Sequence, residues 1–206
     1  MNKPNPNEAP EIQCKDLYSK KDIENLKNIL ESYDSEVLLQ KGVVFDMAHR
    51  TVSLPNGKKA LREIAYHSGA AAVVPVDSEG NVYLVYQHRS VINKVTLEIP
   101  AGKMDEGETD PLKCATRELS EETGFDAGSM ELLLSMDTTP GFCTEFVAIY
   151  LARDLKQREK HTDEDEFLGV IKIPMKEAIR RVLSKELTDG KTALGLMLAA
   201  QKLNLL

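Results

Sequence analysis

An α+β fold, with a mixed β-sheet covered by helices, follows from three features of this sequence. Strand-like runs outnumber helical ones through its middle, the helical periodicities are interspersed and late, and no internal repeat imposes a longer period. A chain of 206 residues, 42% hydrophobic, has room for one ordinary domain plus an appendage. A net charge of -7 argues against general nucleic-acid binding. It leaves room for a small anionic substrate where arginines or a metal reverse the local field. Cys14, Cys114 and Cys143 show no CxxC spacing, so neither a disulfide framework nor a structural zinc is expected, and the setting reads as reducing and cytoplasmic. The opening "MNKPNPNEAPEIQCK" has no apolar leader core, and the run "GAAAVVPV" is too short to span a bilayer.

Taken in order, residues 1–36 read as a Pro-punctuated tail followed by a short helix. In "KDIENLKNILESY" (21–33), Ile23, Leu26, Ile29 and Leu30 recur at helical spacing. Residues 37–66 read as an antiparallel meander around Pro55-Asn56-Gly57, and residues 67–206 as the main domain. The meander is too short to enclose a core of its own, which predicts that it packs in a homodimer interface. "AAAVVPV" (70–76) and "VYLVYQHR" (82–89) read as a hairpin through Gly80, and "VTLEIPAG" (95–102) as a further strand. After a helix come the strands "MELLLSMDTT" and "FVAIYLARDL" flanking "PGFCTE". The acidic loop "EKHTDEDE", a strand at "FLGVIKI" and two helices joined through Asp189-Gly190 complete the chain.

The central helix carries the chemistry. Asp110 is an N-cap acceptor, Pro111 suits the first helical position and Gly124 is the stop. Leu112, Ala115 and Leu119 form an apolar stripe, with Glu118, Glu121 and Glu122 expected on the opposite side. Like charges at i,i+3 and i,i+4 each cost about 0.2–0.5 kcal/mol, so a cation is needed to make the cluster favourable. Arg117 can reach Glu121 but leaves two carboxylates over. Hard oxygen ligands on a helix suit Mg²⁺ or Mn²⁺. An acidic helix face alone is ordinarily just solvated; its surroundings decide the matter here.

Those surroundings, "AGKMDEGETDPLKCATRELSEETGF" (101–125), resemble the signature of the Nudix hydrolases. Gly102, Glu108, Arg117, Glu118, Leu119, Glu121, Glu122, Gly124 and Phe125 fill its typed positions. One departure stands out: eight residues, Thr109 to Thr116, separate Glu108 from Arg117 where the pattern has seven. Placing the extra residue at Thr109-Asp110 keeps the ligand helix intact and leaves the role of Glu108 open. The resemblance implies a Nudix-type α/β/α sandwich with a mixed sheet and an N-terminal antiparallel β subdomain. It also implies metal ligands at Glu118 and Glu122, with Glu121 adjacent and the Ala101 carbonyl as a further donor, and Arg117, with Glu108, as an orienting group.

Three more stretches are similar to the ADP-ribose pyrophosphatase branch of that family. In "TPGFCTE", Pro140 lies sixteen residues beyond Gly124; "YQHRSVINKVTLEIPAG" has His88 where tyrosine is usual; "DEDEF" matches an acidic loop. This implies hydrolysis of ADP-ribose, or a related nucleoside-diphosphate sugar, to AMP and a sugar phosphate. Other nucleoside-diphosphate-linked or triphosphate substrates, or a non-catalytic nucleotide sensor, are the alternatives. A dianionic pyrophosphate repels water until metal neutralises it, and a carboxylate must then take the proton. The resemblance offers Glu164 as that base, then Glu166, with Glu121 behind them. The residues themselves offer Arg89 as a partner for a substrate phosphate or ribose, or else as a surface or subunit salt bridge, and Glu98, costly to bury without a donor, and Arg62 as candidates of the same kind. The resemblance adds Pro140, Gly141 and Phe142 on the substrate side, and a homodimer as the assembly.

Overall fold

The computed structural model describes residues 8–158 and 167–206, so the acidic run 159–166, with Glu164 and Glu166, lies outside the described residues. The chain divides into two compact units. One comprises the residues through Ser68 together with Thr139–Glu145; the other comprises Gly69–Thr138 and Phe146–Leu206.

In the first unit, Ser19 caps α1 (Lys20–Asn25) through a reciprocal capping box with Asp22. A 3-10 turn at Leu26–Asn28 follows, and the chain is already in strand β1 (Ser32–Gln40) where the periodicity predicted helix to residue 33. The cause is visible in the burial: Ile29 and Leu30 are 70% and 43% exposed, so no apolar surface rewards the extra helical turn. Pairing of Ser32 and Tyr33 with Ser53 and Val52 takes these residues instead. β1, β2 (Phe45–Ser53) and β3 (Lys59–His67) form the expected antiparallel meander. Gly57, at φ 78°, allows the turn between β2 and β3. The loop Thr139–Glu145 docks along β3: the Ala65 N–H donates to the Phe142 carbonyl at 2.8 Å, and the His67 N–H to Thr144 Oγ1 at 3.0 Å.

The second unit contains β4 (Ala70–Pro75), β5 (Asn81–Arg89), β6 (Lys94–Glu98), β7 (Ala101–Lys103) and α2 (Pro111–Thr123). Then come β8 (Phe125–Asp137), β9 (Phe146–Gln157), β10 (Leu168–Pro174), α3 (Met175–Leu183) and α4 (Gly190–Lys202). One sheet runs β7-β4-β9-β8 with β4 and β9 parallel; the other runs β10-β5-β6 and is antiparallel. The predicted hairpin of β4 with β5 is therefore corrected. The two segments meet only at their ends, through the bridge Val76–Val82 and the Asp77 N–H to Asn81 carbonyl bond among the described residues, and β4 turns to β9 because its continuous apolar run needs cover on both faces. Ala71 and Val73 face α2 residues Cys114, Ala115 and Leu119; Ala72 and Val74 face Met175, Leu196 and Ala199 of α3 and α4. This is the α/β/α layering. Each fully buried Val, Leu or Met contributes about 1.5–3 kcal/mol. The single strand expected at 95–102 is also corrected: it breaks at Ile99-Pro100 into β6 and β7, which join different sheets. Proline cannot donate into a ladder, and the break delivers Ala101 and Gly102 to the edge of β4.

Candidate active site

Helix α2 starts and stops as its sequence predicts. Asp110 Oδ1 accepts from the Leu112 N–H at 3.0 Å, and Gly124 sits in the left-handed region at φ 73°. The faces differ from expectation, however. Leu112 is 38% exposed, whereas Glu118 and Glu122 are buried at 6% and 1% exposure. The reason is β7, which covers the supposedly polar side. The Ala101 N–H donates to Glu122 Oε2 at 2.9 Å, and a Cβ on Gly102 would collide with the Glu118 carboxylate. Only glycine lets this strand approach so closely.

Arg117 ties the acids together. Its Nη1 donates to Glu118 at 2.6 Å and to Glu121 at 2.9 Å, and its Nη2 donates to the Lys103 carbonyl at 3.2 Å. Burial opposes the guanidinium charge, but the Glu118 charge and the hydrogen bonds to Glu121 and Glu118 outweigh it and raise its pKa. Among the described residues buried Arg117 Nε makes no hydrogen bond, and Asp105 Oδ2 lies 3.6 Å from it. Glu108, an expected orienting residue, accepts from the Asp105 N–H at 3.2 Å. Thr109 and Asp110 precede the helix, so the extra residue leaves α2 unbroken.

The donor set suits a hard divalent cation: one guanidinium serves Glu118 and Glu121, and the Gly102 cradle leaves no room beside Glu118 for a side chain. Among the described residues no three His, Cys, Asp or Glu side chains alone are gathered to hold a metal. A cation would therefore draw on one or two of these carboxylates, a backbone carbonyl such as that of Ala101, and water, as magnesium ordinarily does.

A second cluster lies at the end of β6. Glu98, 2% exposed, receives Arg89 Nε and Nη2 at 2.9 and 2.8 Å, Thr96 Oγ1 at 2.6 Å, and Lys191 Nζ. Burial alone would raise its pKa; Arg89, Lys191 and Thr96 overcome that and hold it at about 2. Two expected residues, Arg89 and Glu98, are thus one bidentate pair.

The first unit has its own cavity of about 380 Å³, lined by Arg62 with Pro140, Gly141 and Phe142, all four expected, and by Tyr33 and Arg50 among others. Arg62 is held by Glu31, its Nε donating to that carboxylate at 3.1 Å. Arg50 donates to Glu36 at 2.9 Å and to the Tyr66 hydroxyl at 2.6 Å, with its guanidinium 5.6 Å from the Tyr33 ring centroid. Sequence reasoning missed Lys191, Tyr33 and Arg50. The first had a signal, a lysine two residues past an N-cap aspartate in "TDGKT"; nothing local marked the other two.

Fold and acid-bearing helix define the class, a sandwich with a carboxylate helix under a glycine-bearing strand. A model of the NUDIX domain family matches residues 65–193. The chain is 39% identical over 170 residues to the ADP-ribose pyrophosphatase of Bacillus subtilis (strain 168), covering 82% of this chain and 91% of that one. It is 36% identical over 171 residues to the ADP-ribose pyrophosphatase of Mycobacterium tuberculosis (strain ATCC 25618 / H37Rv), covering 81% of each. It is 42% identical over 145 residues to the methanol dehydrogenase activator of Bacillus methanolicus, covering 69% and 78%. A crystal structure of an ADP compounds hydrolase shares the fold, with a TM-score of 0.73 at 21% identity over 84% of this chain and 94% of that one. The chain belongs to the Nudix hydrolase family, whose members generally need a divalent metal cation.

Proposed function

We propose that this protein hydrolyses the pyrophosphate linkage of ADP-ribose, or of a closely related nucleoside-diphosphate sugar, to AMP and a sugar phosphate. The observation that carries the reading is the pair of buried carboxylates, Glu118 and Glu122, gathered against Ala101 and Gly102. Support for the substrate comes from the two ADP-ribose pyrophosphatases at 39% and 36% identity. In this reading Glu118 and Glu122, with the Ala101 carbonyl, would hold Mg²⁺, with Mn²⁺ as the other candidate; Glu121 is the adjacent acid, and Arg117 and Glu108 are the orienting groups. A divalent cation held by these residues would supply charge neutralisation at the phosphoryl oxygens and acidity to the attacking water. Water adds to phosphorus, the anhydride P–O bond breaks, and the leaving phosphate departs with the bonding electrons. The water's proton passes to a carboxylate, for which we propose Glu164, then Glu166, then Glu121.

Arg89, held by Glu98, is proposed to meet the phosphates. Arg62, Pro140, Gly141 and Phe142, which line the first unit's cavity, are proposed as further substrate-binding residues. A homodimer is part of the proposal, motivated by exposed Val37, Val43 and Leu61 in the β1–β3 region, at 61%, 90% and 54%. A cytoplasmic setting agrees with the free thiols of Cys14, Cys114 and Cys143. No helix among the described residues is long and apolar enough to cross a membrane. The test is a panel of ADP-ribose, ADP-glucose, diadenosine compounds and nucleoside triphosphates with Mg²⁺, read by product mass. AMP plus ribose phosphate as the best-formed pair supports the reading; preference for a triphosphate, or no turnover at all, refutes it.

A further inference from the structure

Glu98 is a fully engaged carboxylate. Arg89 Nε takes one oxygen and Nη2 the other, Thr96 adds a 2.6 Å bond to the first, and Lys191 Nζ sits on the second. Lys191 is itself held by Asp189 Oδ2 at 3.0 Å, and Asp189 caps α4 by accepting from the Thr192 N–H at 3.0 Å. The capped end of the C-terminal helix is thereby tied through Lys191 and Glu98 to Arg89. Arg89 alone already neutralises Glu98, so the added effect of the second cation is to stop the carboxylate turning. With both Glu98 oxygens pinned, the Arg89 guanidinium has one plane available. Its third nitrogen, Nη1, donates to no group among the described residues, and the side chain is 43% exposed. The Glu98 hydrogen bonds raise the pKa of Arg89 against the cost of burial, with the charges of Glu98, Glu122 and Asp189 adding to them.

We infer that Lys191 is a positioning residue: acting through Glu98, it presets Arg89 as an anion contact for the substrate's pyrophosphate. The inference rests on the function proposed above. It goes beyond that function by making the C-terminal helix part of substrate recognition.

The experiment compares wild type, Lys191→Met and Lys191→Arg in three measurements. These are KM and kcat for ADP-ribose at saturating Mg²⁺, the metal-free Kd for ADP-ribose by calorimetry in EDTA, and Tm. Loss of a fixed orientation at a positioning contact predicts that Lys191→Met raises KM and the metal-free Kd together by about tenfold, with kcat much less affected. Lys191→Arg, which keeps a donor cation, is expected to recover most of both. A lysine serving stability alone would lower Tm in the methionine variant and leave KM and Kd at wild-type values; that result, or a loss confined to kcat, overturns the inference. Should Lys191→Met fail to fold, Lys191→Gln, which removes the charge and leaves Glu98 and Arg89 in place, carries the same readout. Wild-type turnover of ADP-ribose with an unaltered Lys191→Met overturns this inference alone, whereas a wild type without turnover on the whole panel overturns the functional reading and this inference with it.

Discussion

Glu122 keeps only 1% of its surface exposed, and its carboxylate accepts from the Ala101 N–H at 2.9 Å. Glutamine there can still accept from Ala101 and nearly matches the volume, so Glu122→Gln is expected to keep its Tm within a few degrees. If Glu122 is a metal ligand, turnover falls by about two or more orders of magnitude. Wild-type turnover at limiting Mg²⁺ would remove it from the ligand set. Glu98 gives a pH signature. Its pKa is depressed from 4.5 to about 2, so the stability it contributes is fully present above about 4.5 and is lost as pH falls toward 2. Acid unfolding followed by circular dichroism is expected to show this component in wild type and to lack it in Glu98→Gln. At this scale the sequence was informative where roles follow from residue type and near spacing, as for Arg117 with Glu121 at i,i+4. It was mute where partners lie far apart: Arg62 meets Glu31 and Lys191 meets Glu98, 31 and 93 residues away.

At the scale of elements, α2 and β7 make one device, since Gly102 lets β7 press on the Glu118 carboxylate. Gly102→Ala is expected to displace that carboxylate and weaken metal binding, read as a rightward shift of the Mg²⁺ activation curve. Gly195 plays a packing role: a Cβ there would come within 3.1–3.2 Å of Ile99, Val74 and Ile149. Gly195→Leu is therefore expected to cost about 1–3 kcal/mol in urea unfolding by overpacking the α4–sheet contact. In the acidic loop, Glu164→Gln is expected to lower kcat strongly with little change in KM, and Glu166→Gln to do less. The reverse order would move the base by two residues. Caps and stops made α2 readable because they act within one helical turn. The β4–β5 hairpin was misread because a Gly80 turn reports only a change of direction, whereas the choice of β9 as partner came from burying both faces of β4.

Over the whole molecule, metal and assembly are measurable together. Mg²⁺ binding to the folded protein alone raises Tm by linkage, so a titration without substrate is expected to show a saturable rise in wild type that Glu118→Gln loses. Light scattering at micromolar concentration is expected to report a dimer; a monomer would end that proposal. By itself the sequence determined the α+β class, the limits of the acid helix and the set of charged residues that made it resemble a Nudix hydrolase. Composition, capping and 3.6-residue spacing all act through neighbours along the chain. Only the tertiary structure decided that β4 pairs with β9 rather than β5, that Glu118 and Glu122 are buried under β7 rather than solvated, and that Lys191 reaches Glu98. Those outcomes arise from packing and charge pairing between segments distant in sequence, whose free energies no local pattern carries.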